Sequence, residues 1–261
     1  MTATMPTTAE RRAPAAGTAP PLYEARNISK KYGNLQALDG INFHINAGEV
    51  IGLLGDNGAG KSTLIKMMSG VVRPDSGEIL IDGKPTRITS RHDSQEAGIE
   101  TIYQDTALVD SMSITRNIFM GREITNFLGF MRHRKMSDTA VSVLDSAVHI
   151  SGIDDPDKEV GLLSGGQKQA VAIARAVYFK RRMLLLDEPT SALSVRETER
   201  LLDYVANLKH EGVASVLVTH NIYHAFQVCD RFVVMSHGKA VFEIDKAHTT
   251  IDEITKHVIM T

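Results

Sequence analysis

The 261-residue chain has a single cysteine, a net charge of only −2 and no long apolar run. One cysteine, Cys229, excludes an intramolecular disulfide and favours a reducing compartment, where we interpret it as a small apolar residue on a helix. A net charge near zero provides no general attraction to nucleic acid or to an anionic membrane. No stretch approaches the roughly 18 apolar residues of a membrane-spanning helix, and no apolar region follows the early arginines as in a signal peptide. We therefore expect a soluble cytosolic protein.

The order of the predicted elements indicates the fold class. Residues 1–21, rich in Ala, Thr and Pro, predict a disordered tail, and residues 22–261 predict the folded domain. Strands at 22–28, 41–45, 50–54, 183–186 and 214–218 alternate with helices at 62–68, 167–178, 195–209 and 222–228. This alternation predicts an α/β fold with a mainly parallel sheet. A helical block, about residues 106–163, is inserted between its halves, and in it Ser137 is expected to cap a helix with an apolar stripe at Val141, Leu144 and Val148.

Residues 55–63, GDNGAGKST, match the phosphate-binding pattern G-x-x-x-x-G-K-[ST] between an apolar strand and a helix. In such a loop the backbone N–H groups surround the phosphates, the lysine reaches the β and γ oxygens, and the serine hydroxyl binds Mg²⁺. The helix N-terminus adds its partial positive charge. These flanks disfavour a chance match in a glycine-rich turn. The predicted ATP-binding residues here are Gly55, Asn57, Gly58, Gly60, Lys61, Ser62 and Thr63.

An acid pair, Asp187 and Glu188, follows the apolar run MLLL. Ligands bind at the carboxyl ends of strands in open α/β sheets, so Asp187 is a candidate ligand for the Mg²⁺ that bridges the β- and γ-phosphates. Glu188 is then the candidate base that orients and deprotonates the attacking water. Two adjacent acids in a surface turn are the alternative when the pair is considered alone.

A second helix begins with two glycines, at Ser164-Gly165-Gly166-Gln167. It offers another anion-binding N-terminus, although a helix cap with a glycine turn is the simpler interpretation. One nucleotide does not need two such sites in one chain. The second site is therefore expected to serve something else.

At this point the sequence resembles the ATP-binding cassette family. Residues 163–167, LSGGQ, match the family signature, Ser164 precedes Asp187 by 23 residues as in the family, and the motifs follow in order from about residue 22 to the end. The resemblance implies a P-loop NTPase (RecA-like) core, an antiparallel β subdomain and an inserted α-helical subdomain.

The resemblance also implies individual roles. Tyr32 matches the aromatic residue that stacks on adenine, Gln104 the glutamine that contacts Mg²⁺ and the attacking water, and His220 the histidine that contacts the γ-phosphate. Ser164 and Gly166, with Gly165 and Gln167 beside them, match the residues that bind ATP held by a second copy, so two chains would enclose two ATP molecules head to tail. Ser194 departs from the family, which most often has aspartate there. A serine can still cap the following helix, so hydrolysis is expected to survive, with coupling between the two sites less secure.

The helical block is only about 60 residues long and has no long heptad array, which disfavours a cassette ATPase of DNA ends. A single cassette disfavours the translation-associated members, and the lack of a fused membrane span disfavours the exporters that carry one. A detachable ATPase of a membrane importer is therefore favoured over one of an exporter, and a soluble non-transport ATPase is a further alternative.

Residues 107–123 resemble monosaccharide importer ATPases in the motif Asn117-Ile118-Phe119-x-Gly121-Arg122-Glu123, and residues 188–202 are similar to that subfamily as well. The resemblance implies permease subunits as partners, a periplasmic sugar-binding protein acting indirectly, no nucleic acid, and a peripheral position on the cytoplasmic side of a bacterial inner membrane. Docking to an importer of another small solute is the alternative. The basic run 132–135 is typical of a solvated face, with anionic lipid as the alternative contact.

Overall fold

A computed structural model describes residues 19–102, 108–148, 155–179, 181–191 and 193–260. The strands are β1 (Tyr23–Tyr32), β2 (Leu35–Ile45), β3 (Val50–Leu54), β4 (Ser76–Ile81), β5 (Lys84–Pro85), β6 (Ile99–Ile102), β7 (Met183–Asp187), β8 (Ala214–Val218), β9 (Arg231–Ser236) and β10 (Lys239–Asp245). The helices are α1 (Lys61–Met68), α2 (Arg91–Glu96), α3 (Ile114–Phe119), α4 (His133–Val148), α5 (Gly165–Tyr178), α6 (Val195–His210), α7 (Ile222–Val228) and α8 (Ile251–Met260), with 3₁₀ turns at Val160–Leu162 and Lys246–His248. Within these ranges no helix combines the length and the apolar character needed to cross a membrane.

The larger sheet has six strands in the order β10-β9-β3-β8-β7-β6. Every neighbouring pair is parallel except β10 and β9, which form an antiparallel hairpin at the edge. The smaller sheet has the order β2-β1-β4-β5, and its pairs are antiparallel. An α/β fold with a mainly parallel sheet, an antiparallel β part and inserted helices is confirmed.

Both faces of the parallel sheet are buried, which explains why its strands read as continuous apolar runs. On β3, Ile51 and Leu53 face the antiparallel sheet and α1, while Val50 and Leu54 face the layer of α5, α6, α7 and α8. Helix α6 contributes a stripe at helical spacing to that layer, made by Leu201, Leu202, Val205 and Leu208. The parallel sheet therefore lies between two hydrophobic layers, one on each face.

The helical block packs around a third cluster formed by α3, α4 and α5. The predicted cap at Ser137 is wrong, because α4 already begins at His133 and Ser137 lies inside it. The predicted stripe is wrong at Val141, which is exposed. The buried positions are Met136, Ala140 and Leu144, spaced four residues apart on one face. The burial of Leu144 in the predicted stripe is therefore confirmed, whereas the side chain of Val148 is not among those that the structure describes. The proposed boundaries at residues 22 and 106–163 stay predictions.

The Asn117-Ile118-Phe119 motif is buried inside this helical block. The Asn117 amide nitrogen donates to the carbonyls of Val109, Met112 and Ser113, and its oxygen accepts the N–H of Val109. The motif therefore fixes the loop before α3, and these three residues form no exposed docking surface.

Arg231, at the start of β9, joins the two sheets. Its Nε donates to Glu49 Oε1 at 2.7 Å, its Nη2 donates to the carbonyl of His44 in β2 at 2.8 Å, and its Nη1 pairs with Glu243 in β10. The residue is only 6 % exposed. Removing one partner of a buried ion pair leaves the other charge uncompensated, which is costly.

We expect Arg231→Ala to lower the free energy of unfolding by about 3–5 kcal/mol, measured by denaturant unfolding. Arg182→Ala is the matched control, because Arg182 makes two hydrogen bonds to Asp82, at 2.8 and 2.6 Å, on an exposed surface. That variant is expected to lose less than about 1 kcal/mol. Equal losses in the two variants would contradict the proposed role of Arg231.

Candidate nucleotide-binding site

Three neighbouring strands end in one row at the carboxyl edge of the parallel sheet. The register pairs Leu53 of β3 with Val218 of β8, and Val218 with Asp187 of β7. The phosphate-binding loop follows β3, His220 follows β8, and Glu188 follows β7. The sheet topology thus places the predicted phosphate, metal and base residues side by side, although their motifs are far apart in the sequence.

Glycine is required at both ends of the loop between β3 and α1. Gly55 and Gly60 have φ values of 134° and 104°, which residues with a side chain rarely adopt. A Cβ on Gly55 would lie 2.1 Å from the Met235 carbonyl oxygen, and one on Gly60 would lie 2.6 Å from that of Ala37. The loop is therefore held tightly between β9 and β2. Asn57, Gly58 and Ser62 are exposed, and Thr63 is half-buried.

Lys61 is buried beneath this loop, 7 % exposed. Its Nζ donates to the carbonyls of Gly55 at 2.5 Å and Asp56 at 2.8 Å. Burial lowers the pKa of Lys61, and the charges of Glu188, Asp56 and Asp187 oppose that shift. The ammonium therefore lies within the electrostatic reach of the acid pair.

The acid pair lies against the ends of β7 and β8. Glu188 has φ 51°, an uncommon conformation for a non-glycine residue, and its N–H donates to the Val218 carbonyl at 3.0 Å. Its Oε1 lies 3.0 Å from Nε2 of His220, whose ring is exposed. The backbone of Glu188 is thus fixed by β8, while its carboxylate points towards the residue that follows β8.

The acid pair and the loop serine have the properties of a Mg²⁺ site. Burial raises the pKa of Asp187 and of Glu188. The positive charges of Lys66, Lys61 and His220 only partly oppose the shift at Asp187, and those of His220 and Lys61 only partly oppose the shift at Glu188. Two desolvated carboxyls short of positive charge are stabilised by a cation, and Mg²⁺ prefers oxygen ligands such as the Asp187 carboxylate and the Ser62 hydroxyl. The donor set therefore fits the metal. Gln104, the third predicted ligand, lies outside the described residues, although β6, which precedes it, ends beside β7.

Tyr32 lies at the end of β1, in the hairpin whose second strand contacts Gly60. Tyr32 is 45 % exposed, and the ammonium of Lys30 lies 5.8 Å from the centroid of its ring. The ring is thus partly accessible at the end of a strand whose partner, β2, lies against Gly60 of the loop.

The second predicted anion site forms a reciprocal cap at the start of α5. The Ser164 N–H donates to Gln167 Oε1 at 3.0 Å, and the Gln167 N–H donates to Ser164 Oγ at 3.2 Å. This is a capping box, so the simpler interpretation as a helix cap is confirmed. The cap also holds Ser164 on the exposed surface, where a further ligand can reach it.

Glu197 was not predicted, and it contacts the signature directly. Its carboxylate accepts hydrogen bonds from the N–H and Oγ of Ser194, at 2.9 and 2.7 Å, in a second capping box at the start of α6. A Cβ on Gly166 would lie 2.0 Å from Glu197 Oε1. The same carboxylate therefore lies at the positive N-termini of both α5 and α6. The S-x-x-E spacing at 194–197 predicts the cap, but nothing local predicts the contact with Gly166.

Comparison with known proteins identifies relatives of this chain. The ABC transporter family model matches residues 38–191, a range that contains the loop, the signature and the acid pair. The chain is 48 % identical over 235 residues to the xylose/arabinose import ATP-binding protein of Sulfolobus acidocaldarius, covering 90 % of this chain and 92 % of that one. It is 42 % identical to the ribose import ATP-binding protein of Chromobacterium violaceum, covering 90 % of this chain but only 46 % of the relative, about half its length.

The fold also matches solved structures. An ATP-binding cassette solved as a dimer in a post-hydrolysis state, bound to ADP and Pi, gives a TM-score of 0.74 at 25 % identity, covering 86 % of this chain and 98 % of the other. The predicted P-loop NTPase core is confirmed by this likeness.

Gly166 and Glu197 are expected to be energetically coupled. In a Glu197→Ala background, Gly166→Ala should stabilise the protein by about 0.5–1 kcal/mol, the ordinary gain of alanine over glycine in a helix. In the parent, Gly166→Ala must displace the Glu197 carboxylate and with it a cap worth about 1 kcal/mol, so the gain should disappear or reverse. Denaturant unfolding of the four proteins measures the difference. Additive effects would show that the two residues do not interact.

Proposed function

The chain belongs to the ABC transporter family as its ATP-hydrolysing cassette, and from this premise we propose that it energises the import of a monosaccharide through a membrane permease. The observation that carries the proposal is the 48 % identity to a xylose/arabinose import ATP-binding protein across nearly the whole of both chains. A ribose import ATP-binding protein, similar to this chain over about half its own length, supports the same solute class. Pentoses are therefore the first candidates, and another small solute is the alternative.

For ATP binding, we assign the phosphates to the loop between Gly55 and Thr63. Its exposed N–H groups and the α1 N-terminus provide donors and positive potential, and Lys61 is near enough to exchange its carbonyl partners for β and γ oxygens. Tyr32 offers its exposed ring to the adenine. Ser62, Asp187 and Gln104 would hold Mg²⁺, which neutralises charge on the β- and γ-phosphates when bound.

For hydrolysis, we assign the base to Glu188. The attacking water would give its proton to the Glu188 carboxylate while its oxygen bonds to the γ-phosphorus and the bond from that phosphorus to the ADP oxygen breaks. The left-handed backbone of Glu188 and its hydrogen bond to Val218 hold this residue at the sheet edge. His220 lies 3.0 Å from that carboxylate and is exposed enough to contact a γ-phosphate as well. Gln104 would help to position the water. The positions of Glu188 and His220 thus follow from the ends of two adjacent strands.

A second copy of the chain would complete each site. Ser164 and Gly166, with Gly165 and Gln167, would bind the γ-phosphate held by the partner, because their helix N-terminus is not needed for the chain's own nucleotide. Ser164 is exposed at the start of α5 and is therefore accessible to a nucleotide held by another copy.

The remaining partners follow from the transport role. We place the chain at the cytoplasmic side of a bacterial inner membrane, bound to integral permease subunits, and a periplasmic sugar-binding protein would act on it only indirectly. The solute would be selected by those proteins. No nucleic acid partner is proposed.

Glu188→Gln should trap the two-copy state. The amide keeps the shape of the side chain and loses the base, so ATP should bind without being cleaved. Light scattering should then give a dimer with ATP and Mg²⁺ and a monomer with ADP. Asp187→Asn is the matched control: it removes the charge opposing the metal, so Mg²⁺ binding should fall and no dimer should form.

Adding Ser164→Arg to the Glu188→Gln chain should abolish the dimer by blocking the site across the interface. A Glu188→Gln chain that stays monomeric with saturating ATP and Mg²⁺, alone and with its membrane partner, would argue against the two-copy site.

Uptake of labelled xylose, arabinose and ribose tests the solute class. Cells lacking the gene should lose uptake of one or a few monosaccharides, and the parent gene should restore it. Lys61→Ala should fail to restore uptake, because this variant lacks the ammonium that would bind the β and γ oxygens of ATP. Normal sugar uptake together with lost uptake of an amino acid or peptide would replace the monosaccharide by that solute and leave the ATPase assignment intact.

A further inference from the structure

A short hairpin, residues 124–132, protrudes between α3 and α4. Thr125 and Met131 form an antiparallel bridge, and the Arg132 N–H donates to the Ile124 carbonyl at 2.7 Å. The turn is organised by Asn126, whose Oδ1 accepts the N–H groups of Leu128 and Phe130, both at 3.0 Å. The Asn126 N–H in turn donates to the Phe130 carbonyl at 2.9 Å. The hairpin is thus a hydrogen-bonded structure with a defined tip.

The tip exposes four large apolar side chains within the five residues 127–131. Phe127 is 94 % exposed, Phe130 69 %, Leu128 64 % and Met131 50 %. Burying a phenylalanine side chain is worth about 1.5–3 kcal/mol, so a fixed turn that keeps two of them in water is unfavourable for the isolated chain. Single exposed apolar residues are ordinary, whereas a contiguous group marks an interaction site.

Positive charge follows the tip directly. Arg132, His133, Arg134 and Lys135 are all exposed and line one surface depression together with Asp138. Three permanent cations therefore face one carboxylate there, in a chain whose net charge is −2. The positive charge is local, so any attraction to an anionic partner is confined to this side of the helical block.

The hairpin is also firmly attached to the body of the protein. Ile124 at its base packs against the third core cluster, and α4, which continues from it, buries Met136, Ala140 and Leu144 in the same cluster. A displacement of the tip by a binding partner would therefore be transmitted to α3 and α5 through the packed side chains of this cluster.

From these observations we propose that the hairpin tip docks on an anionic membrane surface, with its apolar side chains at the boundary of headgroups and acyl chains and its cations on lipid phosphates. Apolar residues next to a cationic stretch are the composition of interfacial anchors. Four apolar side chains that are 50–94 % exposed on a hydrogen-bonded turn are accessible to the boundary between headgroups and acyl chains. The contact goes beyond sugar import and does not depend on the solute.

Co-sedimentation of the full chain with vesicles tests the proposal. The protein should bind vesicles of phosphatidylcholine containing 30 mol % phosphatidylglycerol, and bind pure phosphatidylcholine vesicles at least tenfold more weakly. Arg132→Gln with Arg134→Gln should weaken binding to the anionic vesicles by roughly fivefold for each cation removed. Phe127→Ser with Phe130→Ser should weaken binding to the anionic vesicles at least tenfold. Raised salt should weaken vesicle binding only in the proteins that keep Arg132 and Arg134.

Ile259→Ser with Met260→Ser is the matched control, because these residues are 76 % and 81 % exposed on α8. It should bind vesicles like the parent, and all variants should keep ATP hydrolysis, which verifies folding since none touches the nucleotide site. Equal binding of parent and Phe127/Phe130 variant would overturn the proposal. Failure of the parent to bind the anionic vesicles would overturn it as well. If the Phe127/Phe130 variant then still loses solute uptake, the tip is assigned to a protein partner instead.

Discussion

The parallel pairing of β3, β8 and β7 is the constraint on which the site depends. It sets Leu53, Val218 and Asp187 in one row, so the three segments that follow these strands must emerge side by side. A slip of one residue in β7 would turn Asp187 away from the edge and place a leucine there. The buried apolar layers on both faces of the sheet oppose that slip, because the four apolar residues of β7 alternate between one layer and the other.

Helix α5 extends this constraint from the sheet to the helical block. Ala170, Ile173 and Ala176 pack in the layer against the sheet, whereas Val171 and Ala174 pack in the third cluster. The signature at the start of α5 is thus positioned both by the layer against the sheet and by the third cluster in the helical block. The Glu197 carboxylate adds a polar contact from α6, the helix that follows the acid pair. Within one chain, the signature and the segment after Glu188 are therefore joined through Ser194, Glu197 and Gly166.

Local motifs were predictable from the sequence because their backbone requirements are local. The loop glycines, the acid pair, the helix beginning at Val195 and the strand at Ala214–Val218 have the positions expected. The cap at Ser194 likewise follows from residue type and spacing. Ser137 was misplaced because a serine inside a helix differs from one at its start only through the packing of Met136, which the sequence pattern alone does not determine.

Tertiary contacts could not be predicted in the same way. The position of Glu197 over Gly166 depends on how two helices approach, and the exposure of Phe127 depends on a turn held by the Asn126 side chain. Aromatic residues in a sequence ordinarily predict core, and here they identify a surface. Gln104 lies outside the described residues, so its role at the site stays a prediction.

The hydrogen bonds of Lys61 to its own loop have a consequence for how affinity should be understood. Because the ammonium donates to the carbonyls of Gly55 and Asp56, nucleotide binding exchanges two existing bonds for new ones. The net affinity contributed by this side chain is then a difference between two sets of contacts, each larger than their balance. A dissociation constant measured after substituting Lys61 would therefore understate the strength of its phosphate contact, since the substitution removes the competing loop contacts at the same time.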